Sequence, residues 1–122
     1  MSDPTREPDA VREAARQDVI DRVLEGDGHA STELRRAAFA NQGALGPART
    51  LLDKVARNAY KVTDEDIAEA KAGGLAEDEI FELAVAAALG QATRQLAAAR
   101  AALAAATTGA RASAPKPGPD EA

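Results

Sequence analysis

Apolar residues recur along this chain at helical spacing, and clusters of polar, glycine and proline residues interrupt them. From Ala10 onward Val11, Ala15, Val19 and Val23 stand four apart, with Ile20 and Leu24 beside them. Arg12, Glu13, Arg16, Asp18, Asp21, Arg22 and Glu25 fill the intervening positions. With about 3.6 residues per turn the two sets fall on opposite faces, which predicts an amphipathic first helix of about four turns. Gly26-Asp27-Gly28 ends it, because glycine adopts the backbone conformations that terminate helices.

The second helix starts at Ser31 or Thr32, either of which can cap it, with Glu33 favoured in its first turn by the helix dipole. It reaches about Asn41 and presents Leu34, Ala37, Ala38 and Phe39. Residues 42–46 form a loop, and Pro47 suits the first turn of a third helix. That helix shows Leu51, Val55 and Ala59 on one row and Leu52, Ala56 and Tyr60 on the next. Arg49, Asp53, Lys54, Arg57 and Asn58 form its polar side.

Thr63-Asp64-Glu65-Asp66 reads as a capped helix start, the hydroxyl satisfying an orphan N–H and three acids meeting the positive helix end. This short fourth helix turns Ile67 and Ala70 inward and closes at Gly73-Gly74-Leu75, where Gly74 fits the left-handed position and Leu75 folds back over the last turn. Glu77-Asp78-Glu79 opens a fifth helix that runs to about Ala106, a length of ~45 Å. Phe81, Val85, Leu89, Ala92, Leu96, Ala99 and Leu103 recur along it at mostly alternating spacings of four and three, a seam for packing on another helix. Gly90 interrupts a strong helix former; it marks either simple tolerance or a close backbone approach at a helix crossing, and the small residues around it favour the crossing.

No strand-type alternation occurs, so the expected architecture is all-α: a bundle of about five helices with a long C-terminal helix. The expected helical domain is 10–106, flanked by a disordered N-terminus (1–9) and a disordered tail rich in proline and alanine (107–122).

Composition narrows the kind of core. Of 122 residues 32 are alanine, 21 are Leu, Ile, Val or Phe, and three are aromatic, so the interior must be thin and lined with alanine. The chain has no cysteine, which removes disulfides, thiolate metal sites and cysteine nucleophiles. A single histidine, His29, removes a multi-histidine metal site within one protomer. No metal or other cofactor is therefore expected.

Charge narrows the partners. The net charge is -5. Residues 63–89 resemble a helix-turn-helix in outline, but eight acids and one base, Lys71, lie between Asp64 and Leu89, and phosphates would repel that surface. Nucleic acid is not an expected partner. No run approaches the ~20 apolar residues of a membrane span, and the first residues lack a basic, then apolar, leader pattern. These features predict a cytoplasmic protein without membrane contact.

Residues 51–103 resemble the carboxymuconolactone decarboxylase and AhpD-like alkylhydroperoxidase superfamily. The resemblance is carried by Ala59-Tyr60, the capped start over residues 62–67, the break at Gly74-Leu75, the acidic start over residues 77–80, and Gly90 within the long helix. It implies an all-α fold, assembly through helical interfaces, and a bacterial pathway concerned with redox or aromatic-compound metabolism. The superfamily's peroxidases use a CxxC pair with an upstream Glu and a downstream His; this chain has no CxxC, so thiol peroxidase activity is excluded.

Two readings of His29 follow from its setting. Near Glu33 it could serve as an acid/base group with an orienting carboxylate; flanked by glycine, it could equally be an exposed loop residue before a helix, and lack of a cleft favours the latter. Tyr60 with Lys54 or Arg57 could hold an oxyanion, or the tyrosine could cap a thin core with its ring inward. Arg94 and Arg100 flank the seam of the fifth helix as surface or inter-helix ion pairs.

The long helix overhangs a domain of this size, and its apolar seam calls for a partner, most simply a second copy. The expected function is a non-catalytic, helical homo-oligomer assembled through residues 80–103 that serves as a binding or assembly partner. The alternative is a cysteine-independent carboxymuconolactone decarboxylase-like enzyme whose inter-subunit pocket uses His29, Tyr60 and Lys54. A third reading is an adaptor whose proline-rich residues 115–119 dock a partner.

Overall fold

The computed structural model describes residues 6–43 and 45–113, which form helices joined by turns and loops, with no strand among them. The elements are α1 (Arg6–Glu25), α2 (Thr32–Ala40), α3 (Arg49–Arg57), α4 (Asp64–Ala72) and α5 (Glu77–Ser113). Single 3-10 turns precede and follow α3, at Gly46–Ala48 and Ala59–Lys61. No helix of the described residues is long and apolar enough to cross a membrane.

Both outer boundaries differ from the expected ones. Helix α1 starts at Arg6 rather than Ala10, and α5 continues past Ala106 to Ser113. Residues 6–9 and 107–113 are thus helical where disorder is expected. Pro8 does not prevent this, because the first four N–H groups of a helix have no intrahelical acceptor. Alanine propensity carries the other end, and Thr107 Oγ1 donates back to the Leu103 carbonyl at 2.9 Å. The remaining residues of both flanks, including the proline-rich 115–119, lie outside the described residues.

Local signals set the inner boundaries. Ser31 Oγ accepts from the Leu34 N–H at 3.1 Å and caps α2. Thr63 and Asp66 form a reciprocal capping box at the start of α4. At its end the Leu75 N–H bonds the Ala70 carbonyl and the Gly74 N–H bonds the Lys71 carbonyl, with Gly74 at φ +105°. This is the Schellman closure that Gly73-Gly74-Leu75 predicts. The Glu79 carboxylate accepts from the Ala76 N–H at 3.1 Å and fixes the start of α5.

The chain divides into two units, Met1–Gln91 and Ala92–Ala122. In the first, Ala30, Ala38, Leu45, Ala48, Leu52, Leu83, Ala86 and Ala87 form the main core, and Leu51, Ala70 and Ile80 form a second cluster. Leu52 and Leu83 are its largest fully buried side chains, each worth about 2–3 kcal/mol of burial. Small side chains let backbones approach. A Cβ on Gly90 would lie 1.9 Å from the Phe39 carbonyl oxygen, so α2 and α5 meet at a crossing that has no room for one.

Two expected faces, on α1 and α3, are corrected. Within the first unit α5 buries Ile80, Leu83, Ala86, Ala87 and Gly90, the row beside the predicted seam, while Phe81 stays 70% exposed. Val11, Ala15 and Val19 of α1 are exposed; Ile20 is buried and only Val23 and Leu24 of that helix pack on the main core. Helix α3 stops at Arg57, and Asn58 at φ -150°, ψ 66° breaks the helical rotation. Ala59 and Tyr60 therefore leave the inward rows, and the Tyr60 ring does not cap the core. In the second unit, α5 from Ala92 onward exposes Ala99 and Leu103 and leaves Leu96 half-buried.

Candidate functional site

Residues 26–31 link α1 to α2 and carry His29. Their backbone polar groups are claimed by two charged side chains. Arg35, on the buried face of α2, sends Nη1 to the carbonyls of Gly26 (2.7 Å) and Val23 (3.2 Å) and Nε to that of Ala30 (3.1 Å). The guanidinium thus occupies the negative end of α1, where unpaired carbonyls gather. Glu82 of α5 takes the amides. Its carboxylate accepts from the N–H of His29 (2.8 and 2.9 Å) and of Ala30 (2.6 Å). The Ala30 and His29 amides hold the Glu82 carboxyl below the ordinary glutamate range. A Cβ on Gly28 would lie 2.9 Å from Glu82 Oε1, so glycine there lets the carboxylate reach the loop.

The His29 ring is exposed. Nδ1 lies 3.4 Å from Glu82 Oε1 and Nε2 lies 3.7 Å from Asp78 Oδ2. The carboxylates that face it therefore come from α5; Glu33 makes no such contact. No group of three His, Cys, Asp or Glu side chains among the described residues is arranged to hold a metal ion.

Lys54 is committed elsewhere. Its Nζ lies 2.9 and 3.1 Å from the two oxygens of Asp66, which is buried and also accepts the Thr63 N–H at 2.9 Å. The lysine hydrogen bond, with that amide, holds the Asp66 carboxyl below the ordinary aspartate range. The contact ties α3 to the start of α4. Lys54 also borders a groove of about 420 Å³ along α3 with Arg49, Thr50, Asp53 and Arg57. Within it Arg57 Nε pairs with Asp53 Oδ1 at 3.1 Å, and Asn41 Nδ2 donates to the same oxygen at 3.2 Å.

Tyr60 is 82% exposed, with the Lys61 ammonium 5.8 Å from its ring centroid. His29, Tyr60 and Lys54 are thus engaged with Asp78 and Glu82, Lys61, and Asp66 respectively. No contact among the described residues joins the three.

A different concavity is apolar. Leu51, Val55, Val62, Ile67, Ile80, Phe81 and Ala84 enclose about 270 Å³ between α3, α4 and α5, with Glu77 on its wall. Phe81 and Val85 are both exposed, as are Ala88 of the first unit and Leu103 of the second.

Arg35, Asp78 and Glu82, and the pairing of Asp66 with Lys54, escape the motif reading because each acts beyond its own helix or cap. One signal was present: Arg35 stands between Leu34 and Ala38 on the inward side of α2, where a charge demands acceptors. Compared with known protein families, curated proteins and solved structures, the chain finds no match in any of the three.

Proposed function

We propose that this protein is a non-catalytic helical module that self-associates through residues 80–103 of α5 and acts as an assembly partner. One observation carries this reading. The core of the first unit uses Ile80, Leu83, Ala86 and Ala87, which leaves Phe81 70% and Val85 37% exposed on the neighbouring row. The same row continues in sequence to Leu103, which is 69% exposed. Water-facing leucine and phenylalanine at coiled-coil spacing gain most by burial against another helix.

The likeness of residues 51–103 to the carboxymuconolactone decarboxylase and AhpD-like superfamily supports the same reading, since that resemblance implies helical interfaces. The enzymatic alternative draws on His29, Tyr60 and Lys54, and each of these has its own separate partner. Sedimentation at tens of micromolar tests the proposal. A species of twice the 12.6 kDa chain mass or more is expected, and a clean monomer would reject it.

A further inference from the structure

Resting on the assembly role proposed above, though not on self-association, we infer that the apolar pocket between α3, α4 and α5 receives a large apolar side chain from a basic amphipathic helix of another protein. The pocket lies wholly within the first unit. Val55, Val62, Ile67, Ile80 and Phe81 bound its volume of about 270 Å³. Ile80 is buried, Val62 and Ile67 are half-buried, and Phe81 is 70% exposed. A concavity with such walls holds an apolar group better than water, because water there finds few polar partners.

Charge selects the class of partner. Residues 62–84, which supply the α4 and α5 walls, carry eight acids and one base, whereas the rest of the chain carries twelve acids and fourteen bases. Negative charge is thus concentrated on the two helices that wall the pocket. Glu77 lines it directly; Asp64 and Asp78 stand three positions before Ile67 and Phe81 and so share their helix faces. Lys71, the one base, lies 3.7 Å from Glu77 and leaves that side chain 84% exposed. Asp64 pairs with no cation among the described residues. Such a surround repels membrane headgroups and nucleic-acid phosphates of like charge and attracts lysine and arginine.

Shape selects a helix. Phe81, Val85 and Ala88 are exposed at spacings of four and three and lead away from the pocket along α5 within the first unit. A second helix lying along that strip places one large residue in the pocket and its cations beside Glu77 and Asp78. Among the described residues no strand edge is present to take an extended segment instead. Phe81 also opens the row proposed for self-association, so the test reads Val62 and Ile67, which belong to the pocket alone.

The test titrates the full chain with three synthetic peptides and follows its methyl resonances by NMR. One peptide has leucine and lysine at helical spacing, the second has glutamate in place of lysine, and the third scrambles the leucine–lysine order. The first is expected to bind ~10-fold or more tightly than either of the others, to shift the Val62 and Ile67 methyls, and to weaken as salt is raised. Glu77→Lys, at an exposed position outside residues 80–103, should keep its helicity by circular dichroism and weaken that peptide by ~5-fold or more. Equal binding of the scrambled peptide would reduce the contact to charge alone, and equal binding of the glutamate peptide to apolar area alone; either overturns the inference, as does no binding or indifference to Glu77→Lys. Shifts of the same methyls on concentrating the chain without peptide would assign the pocket to a second copy and also overturn it. Sedimentation of the same samples reads self-association separately: a monomer that binds the first peptide through these methyls keeps this inference and rejects the dimer, and an oligomer that binds no peptide does the reverse.

Discussion

Arg35 and Glu82 divide the polar backbone of one loop between them. The arginine takes the carbonyls of Val23, Gly26 and Ala30, and the glutamate takes the amides of His29 and Ala30. Three helices that bury few large side chains are thereby joined at a single point by charge-assisted hydrogen bonds, which are about twice as strong as neutral ones.

Removing the arginine leaves those carbonyls without their donor. Arg35→Met keeps most of the apolar stem and is expected to lower stability by about 2–4 kcal/mol in urea unfolding. Arg35→Lys should lose less, because it retains the charge, but it cannot span three acceptors with a planar fork.

The loop is held through backbone groups of His29, and its ring is exposed. His29→Ala should therefore change stability by no more than about 0.5 kcal/mol. Glu82→Gln, which weakens both amide contacts, should cost more than His29→Ala in the same thermal melt.

Acid should unfold the protein through two identified carboxylates. Glu82 and Asp66 both sit below their ordinary ranges in the folded state, Glu82 because of the Ala30 and His29 amides and Asp66 because of Lys54 and the Thr63 amide. A depressed folded pKa contributes stability that is present above the unfolded value and disappears as pH falls through the folded one. Melting temperature should thus be level above about pH 5 and drop below the ordinary values of 4.5 and 3.8. Asp66→Asn and Glu82→Gln should each flatten that acid limb while lowering stability at neutral pH.

Two glycines of α5 should answer the same substitution in opposite ways. Gly90→Ala forces a methyl into the Phe39 carbonyl and is expected to destabilise by about 1–3 kcal/mol even after the ~1 kcal/mol gain in helix propensity. Gly109→Ala meets nothing within 4 Å and should raise helicity or leave it unchanged. Chemical denaturation with far-ultraviolet circular dichroism separates the two.

The division between what sequence and tertiary structure each determine follows the range of the forces. Caps and closures act within four or five residues, so Ser31, the Thr63–Asp66 box and the Gly73-Gly74-Leu75 stop were readable from order alone. Gly90 was readable as well, because a glycine inside an alanine-rich helix costs propensity unless another backbone needs the space. Periodicity showed that α1 and α5 have apolar stripes, but not which edge of a broad stripe faces inward. In α5 that choice fell to Leu83, Ala86 and Ala87, whose small neighbours admit α2 at close range, and it left Phe81 in water. The Arg35–Glu82 clasp lay beyond any local pattern, since its two members are 47 positions apart and their acceptors and donors belong to the backbone. Only packing brings a guanidinium to the end of α1 and a carboxylate to the start of α2, because desolvating either charge is tolerable solely where the fold supplies enough backbone partners to replace water.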